Sequence, residues 1–185
     1  PVIARVYEVA KARIEREGDV NRRALMTDAF LLDRVAYEMA EADDDFTAEL
    51  RDSLLYQSPD ELDWEDSEFM LHPRIRMVTC RYDWDAWLSS GASEPPRVET
   101  PTSYITYCDN HRVRCRRIGA FARMVCEALA TPFTVDAAAA HLSEHVNVET
   151  QAAYTALRNQ VQAQIRNMHS GGLVVANAVP LTRVP

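Results

Sequence analysis

The amino-acid sequence predicts a mostly helical α+β fold, with an acidic helical N-terminal half and a C-terminal half that contains a small antiparallel sheet. Apolar residues recur at steps of three and four over long stretches, which is typical of amphipathic helices. Two short runs around Asp109 and Asn110 alternate in polarity, as the strands of a hairpin do. Charge also divides the chain. Residues 1–100 carry 12 Lys and Arg against 23 Asp and Glu, whereas residues 101–185 carry 8 against 5.

Residues 1–73 are predicted to form an acidic helical region. Val2, Val6 and Val9 recur at helical spacing, and Gly18 is a suitable end for this first helix. Asn21 is a suitable N-cap for the second helix. The run Ser58-Pro-Asp-Glu61 forms a capping box, which predicts one more short helix. We therefore predict helices over residues 2–17, 21–42, 46–56 and 58–70.

Residues 74–101 are predicted to contain a strand, an aromatic segment and a linker. The strand covers residues 74–80, and the Pro- and Ser-containing linker begins at Ser89. Between them, Trp84 and Trp87 lie three residues apart and would share one side of a helical turn. One interpretation is that they pack the two halves of the chain together. The other is that Tyr82, Trp84 and Trp87 form an interface for a protein partner, since Trp is enriched in binding hot spots.

Residues 102–179 are predicted to form a hairpin, three helices and a closing strand, and residues 180–185 a loose tail. The strands 104–108 and 111–116 flank the Asp-Asn turn. Thr134 is a suitable N-cap for the second helix, and Gly171-Gly172 ends the third. The predicted helices cover residues 118–130, 135–145 and 148–169. This order is that of a winged helix-turn-helix, a fold that binds nucleic acid or peptide.

Arginines recur along the second strand of the hairpin. Because strand side chains alternate between faces, Val113 and Cys115 are predicted on one face and Arg112, Arg114 and Arg116 on the other. Charge on an outer strand protects it from unwanted pairing, so a solvated edge is one interpretation. The other is recognition of an acidic segment that adds as a further strand.

The order of these elements resembles that of a PqqD-type domain. A hairpin is followed directly by a helix, then by Thr131-Pro-Phe-Thr-Val135 and a second helix, and last by a long helix that ends in Asn167-Met-His-Ser-Gly-Gly-Leu-Val174. This family, the RiPP recognition elements, binds the leader of a ribosomally made precursor peptide as an extra strand beside the third helix. The resemblance covers about 75 residues. It implies a peptide-binding site made of Arg112, Val113, Arg114, Cys115, Arg116 and Arg117 on the strand, and of Tyr154, Leu157, Arg158 and Val161 on the helix.

The acidic helical half is additional to a minimal PqqD-type domain. A longer protein of this kind resembles the non-catalytic partner subunits of multinuclear iron oxidative enzymes in methanobactin and 3-thiaglutamate pathways. This second resemblance implies a hetero-complex with a separate modifying enzyme. It implies iron in that enzyme and no cofactor in this chain. We found no catalytic spacing and no phosphate-binding loop, which agrees with an accessory role.

Two other functions are alternatives to this one. A winged-helix DNA-binding regulator needs basic residues on its third helix, where only Arg158 and Arg166 stand, and the overall charge of −8 disfavours nucleic acid. The other alternative is an enzyme that uses a metal, and two sets of residues could bind one. Buried thiols are the more common explanation for the cysteine set, and a solvated helix surface is the more common explanation for the histidine pair. The sets are Cys80, Cys108, His111 and Cys115, and the pair His141 and His145.

The sequence also bears on location. No apolar run is long enough to span a membrane, and the N-terminus lacks the pattern of a signal peptide. We therefore expect a cytoplasmic protein with reduced cysteines.

Overall fold

A computed structural model describes residues 2–42, 62–72, 75–109 and 112–177. The predicted helix over residues 46–56 and the predicted tail lie outside this range. In chain order the elements are helices α1 (Val2–Glu15) and α2 (Val20–Ala42), strands β1 (Glu68–Leu71) and β2 (Arg76–Cys80), helix α3 (Trp84–Ser90), strands β3 (Thr102–Asp109) and β4 (Arg112–Ile118), helices α4 (Ala120–Ala128), α5 (Val135–Ser143) and α6 (Gln151–Ser170), and strand β5 (Val174–Asn177).

The chain forms two compact units, each made of two separate segments. The first unit contains residues 1–45 and 76–119, and the second contains residues 46–75 and 120–185. The domains predicted from the sequence are continuous segments of the chain. Each of the two compact units instead combines an earlier segment with a later one. The two units are described separately below.

In the first unit, α1 and α2 form a helical hairpin. The ring of Tyr7 packs against Phe30 and Tyr37, with centroid distances of 5.5 and 5.7 Å. The predicted N-cap Asn21 is wrong by two residues, because the Asp19 carboxylate accepts the early backbone N–H of Arg22 at 3.0 Å. The side chains of Val6 and Val9 are 58% and 65% exposed. Tyr7, rather than this valine stripe, faces α2.

A three-stranded antiparallel sheet in the order β2-β3-β4 packs against α2. The predicted hairpin is confirmed, with Tyr107 opposite Arg114 and Asp109 opposite Arg112. Val78, Cys80 and Tyr104 form the buried cluster between sheet and helix. Leu31, Leu32 and Val35 of α2 and Trp84 of α3 pack against this cluster.

In the second unit, β1 pairs with β5 in a two-stranded antiparallel sheet. The predicted helix up to Met70 is therefore wrong over residues 68–70, which belong to β1, since the capping box is a local signal and pairing with β5 decides the conformation. Phe69 is fully buried and exchanges backbone hydrogen bonds with Phe133, at 2.8 and 3.0 Å. A bridge at Phe133 thus flanks β1 on its other side.

Three helices complete the second unit, as predicted. Thr134 caps α5 by accepting from the N–H of Ala137 at 3.2 Å, and Thr150 caps α6 by accepting from Ala153 at 3.1 Å. Ala138 and Ala139 of α5 are fully buried, since small side chains allow close helix packing. The fully buried Val161 and Ile165 give α6 its inner face.

The predicted fold class is confirmed at the level of a mostly helical α+β protein with small antiparallel sheets. In the described residues the closing strand β5 pairs with β1, and the hairpin pairs with β2, so the predicted single sheet is two sheets. None of the helices in the described part of the chain is both long and apolar enough to cross a membrane.

Candidate functional site

The candidate site is the outer edge of β4. Within the described ranges, β4 pairs with β3 on one side and with no strand on the other. The side chains of Arg114, Cys115, Arg116 and Arg117 are all exposed, and Val113 is half-buried. The side chain of Arg112 lies outside the described part. An exposed edge strand offers backbone N–H and C=O groups to a further strand.

The two faces of β4 differ in charge. Arg114 and Arg116 lie on one face, opposite Tyr107 and Ile105 of β3. The other face carries Val113, Cys115 and Arg117. The Thr106 hydroxyl lies 3.9 Å from the Cys115 sulfur, and partial burial of that sulfur raises the pKa of the thiol. Cys115 is therefore neutral at pH 7 and contributes no charge to the edge.

Arg117 forms an ion pair with a carboxylate of the same unit. Its guanidinium lies 2.6 Å from Asp83, whose side chain is only 13% exposed. Asp83 also caps α3 by accepting from the N–H of Ala86 at 3.0 Å, and the Tyr104 hydroxyl lies 3.5 Å from the same oxygen. The ion pair between Arg117 and Asp83 thus connects strand β4 to the N-terminus of α3.

The predicted partner interface is largely built into the first unit. Tyr82 is buried, and its backbone N–H donates to the Asp28 carboxylate at 3.1 Å. The Trp84 indole N–H donates to the same oxygen at 3.2 Å. Burial, together with the Asp28 charge, raises the pKa of Cys80 to about 12. These groups form a buried polar contact between α2 and the aromatic segment.

Trp87 is half-buried, as Trp84 is. Its ring meets that of Trp84 edge-on at 5.5 Å. The indole N–H donates to the backbone carbonyl of Glu94 at 2.6 Å, which ties the linker to α3. The predicted shared side of the two tryptophans is confirmed.

The helix part of the predicted peptide site belongs to the second unit, whereas β4 belongs to the first. Val161 is fully buried, Leu157 is 9% exposed, and Tyr154 is half-buried. Arg158 contacts Asp136 of α5 and lies 2.6 Å from Glu65. Two carboxylates therefore compensate the main cation of this helix surface and raise its pKa further.

A second cation of α6, Arg166, lies over an aromatic ring. Its guanidinium carbon is 4.8 Å from the ring centroid of Trp64. Trp64 stacks on Phe69 at 5.0 Å and meets His169 edge-on at 5.8 Å. This cluster packs the segment that precedes β1 onto the end of α6.

The residues considered for a metal do not form a site in the described part of the chain. Among the described residues, no three His, Cys, Asp or Glu side chains are placed to hold a metal ion. Cys80 is buried and Cys115 exposed, while His111 and the side chain of Cys108 lie outside the described part. His141 and His145 meet edge-on at 5.2 Å.

Sequence analysis missed the carboxylates that organise these side chains. Asp83 had a readable signal, since an Asp directly before a helical run is a typical N-cap. The sequence contains no such signal for Asp28, Glu65 and Asp136, because their partners are distant in sequence. Glu65 and Arg158, for example, are separated by 93 positions.

Compared with models of known protein families and with curated proteins, the chain matches none.

Proposed function

We propose that this protein is an accessory subunit that binds the leader of a ribosomally made precursor peptide and presents it to a separate modifying enzyme. The observation that carries the proposal is the exposed outer edge of β4, with its arginine-bearing face. An extended peptide would dock there as a fourth strand of the sheet.

The register of the hairpin supports a specific set of backbone contacts. Asp109 and Arg112 flank a two-residue connection, and such hairpins close on a pair that exchanges backbone hydrogen bonds. Because hydrogen-bonding direction alternates along a strand, Arg114 and Arg116 also bond towards β3. The N–H and C=O groups of Val113, Cys115 and Arg117 then point outwards, where an added strand would bond them.

The charge of α6 favours a peptide over DNA as the ligand. A winged-helix regulator reads DNA with basic residues on its third helix. Of the two arginines on α6, Arg158 is compensated by Asp136 and Glu65, and Arg166 lies over Trp64. Arg166 is exposed but stands beside a compensated Arg158, and the chain as a whole has a charge of −8.

The proposed partner is an iron-dependent oxidative enzyme, on the ground of the resemblance described above. Iron would reside in that enzyme, and this chain would supply peptide binding alone.

The test is affinity purification of tagged protein from its native cells, with mass spectrometry and metal analysis of what elutes. We expect a short peptide and an iron-containing enzyme to elute with the wild type. Cys115→Pro should lose the peptide, because proline removes an outward N–H while edge strands tolerate it. Val98→Pro, at a 76% exposed position outside the sheet, is the matched control and should retain it.

Circular dichroism of both variants checks that they fold. Equal peptide recovery with Cys115→Pro and the wild type would place binding elsewhere. Co-elution of DNA without a second protein, with an affinity that falls steeply with salt, would support the regulator instead.

A further inference from the structure

We infer that the first unit contains a further ligand site, a cavity that binds an uncharged aromatic ring carrying a hydroxyl group. The cavity lies between the start of α2 and the linker that follows α3, and its volume is about 380 Å³. A cavity of about 150 Å³ can hold a benzene ring, so a substituted ring has room here. The site is independent of the β4 edge and of the peptide proposed to bind there.

The walls of the cavity are apolar and formed in advance. Leu25 contributes from α2, and Pro95 and Pro96 contribute from the linker. Proline rings have a fixed backbone φ, and proline surfaces are complementary to aromatic rings in peptide recognition. The Trp87 indole donates to the carbonyl of Glu94 at 2.6 Å and so holds the linker directly before the two prolines.

Tyr82 provides the polar group inside the cavity. It lines the cavity and is only 1% exposed. Within the described residues, its hydrogen bonds to Asp28 and Trp84 use its backbone, and none uses its hydroxyl. His169 Nδ1 is the one side-chain nitrogen or oxygen of the described residues that is sealed without a partner. The Tyr82 hydroxyl is therefore reached from the cavity, where a ligand can satisfy it.

The charges at the cavity compensate each other. Arg97 forms an ion pair with Glu94, and Asn21, which also lines the cavity, is neutral. A charged ligand would lose its water here without gaining an unpaired counter-charge, so an uncharged ligand is favoured. A phenol combines an apolar ring with a hydroxyl that can donate to the Tyr82 hydroxyl or accept from it.

NMR titration of the full chain with three small probes tests this chemistry. The probes are p-cresol, toluene, which lacks the hydroxyl, and methylcyclohexanol, which lacks the aromatic ring. We expect p-cresol to shift the backbone amide signals of Asn21, Leu25 and Arg97. It should bind roughly fivefold to tenfold more tightly than either of the other probes, from one hydrogen bond and the packing of the ring.

A conservative variant tests the role of the hydroxyl. Tyr82→Phe keeps the ring and should fold like the wild type, because no described group bonds the hydroxyl that it removes. It should bind p-cresol and toluene equally. Tyr107→Phe makes the same substitution on β3, away from the cavity, and should keep the preference for p-cresol. Thermal denaturation of both variants checks their folding.

The contrary outcomes are distinct. Equal binding of p-cresol and toluene by the wild type, or an unchanged preference in Tyr82→Phe, would overturn the role of the hydroxyl. Equal binding of methylcyclohexanol would overturn the aromatic class. If no probe shifts the cavity amides up to its solubility limit, the cavity is not a ligand site.

A fourth probe, N-acetyltyrosinamide, distinguishes two sources of the same chemistry. If it binds at least as tightly as p-cresol, and N-acetylphenylalaninamide binds more weakly, the cavity accepts a tyrosine side chain of a partner protein. If p-cresol binds and N-acetyltyrosinamide does not, the ligand is a free phenol. Either result supports the site, and neither depends on peptide binding at β4.

Discussion

Asp28 is a buried carboxylate whose role depends on two donors far along the chain. It is 3% exposed and accepts from the Tyr82 N–H and the Trp84 indole at 3.1 and 3.2 Å. A buried carboxylate is tolerated when hydrogen bonds replace its water, and the donors are satisfied at the same time. One residue thus holds the aromatic segment against α2.

Replacing Asp28 with alanine should therefore destabilise the protein. The buried Tyr82 N–H and the half-buried Trp84 indole would lose their acceptor, so we expect the free energy of unfolding to fall by about 3 kcal/mol in urea denaturation. Asp33→Ala is the control on the same helix. That residue is exposed and accepts from Tyr7 at 3.4 Å, a long hydrogen bond, so the change should stay within about 0.5 kcal/mol. Equal losses in the two variants would contradict this role.

His169 should make stability depend on pH. Burial lowers its pKa below the ordinary 6.5, so the unfolded chain takes up a proton at higher pH than the folded chain does. Stability should therefore be fully present above about pH 6.5 and should decline as pH falls from there through the folded pKa. Urea midpoints should be measured from pH 7.5 to 5.5 for the wild type and for His169→Phe. The midpoint of the wild type should fall more over this range than that of the variant, which has no imidazole at this position.

A direct measurement accompanies that comparison. NMR titration of the His169 ring should give a lower pKa in the folded protein than in urea. The same pKa in both states would remove the pH dependence that is attributed to this residue.

At the scale of the element, the end of α6 depends on one left-handed residue. Gly172 has φ +69°, and its N–H and that of Leu173 bond back to the carbonyls of His169 and Met168 at 2.9 Å. These bonds satisfy the last carbonyls of the helix before β5 begins. The adjacent glycine, Gly171, has an ordinary φ of −88°.

The two glycines should therefore respond differently to alanine. Gly172→Ala places a side chain in the left-handed region and should lower the free energy of unfolding by about 1 kcal/mol. Gly171→Ala should have an effect within about 0.5 kcal/mol, because an added Cβ would meet its nearest atoms at 3.5 Å, an ordinary contact. Thermal or urea denaturation of the pair distinguishes them. A larger loss at Gly171 would contradict this account of the helix end.

The elements were predictable where local patterns decide them. Apolar spacing placed α4, α5 and α6, Thr134 was predicted as the N-cap of α5, and alternation placed the hairpin. Strand β1 was not predictable in the same way, because its four residues acquire their conformation from β5 and Phe133. The inner side of α1 was misjudged for a related reason, since Tyr7 rather than the valines finds partners on α2.

At the scale of the whole molecule, sequence order and spatial grouping diverge. Both sheets join strands from distant parts of the chain, and periodicity contains no information on which strands pair. The candidate edge was predictable, since the arginine alternation stands in the sequence. The ion pairs of Arg117 with Asp83 and of Arg158 with Glu65 were not predictable, since both depend on long-range packing.

The grouping predicts that residues 102–179 cannot fold alone. Such a fragment lacks β2, the neighbour of β3, and β1, the neighbour of β5. We expect a poorly dispersed NMR spectrum and no cooperative thermal transition, whereas the full chain should show both dispersion and cooperativity. A fragment that unfolds as cooperatively as the full chain would contradict the two-segment units.

The pairing of β1 with β5 also sets an order of events during synthesis. Every strand of the first unit has left the ribosome once Ile118 emerges, so that sheet can form while the rest is still being translated. Strand β1 waits for a partner that follows roughly a hundred residues later. At typical elongation rates this delay is roughly 5 to 20 seconds. The apolar residues of β1 are without their sheet partner throughout that interval, which makes them the natural segment for a chaperone to protect.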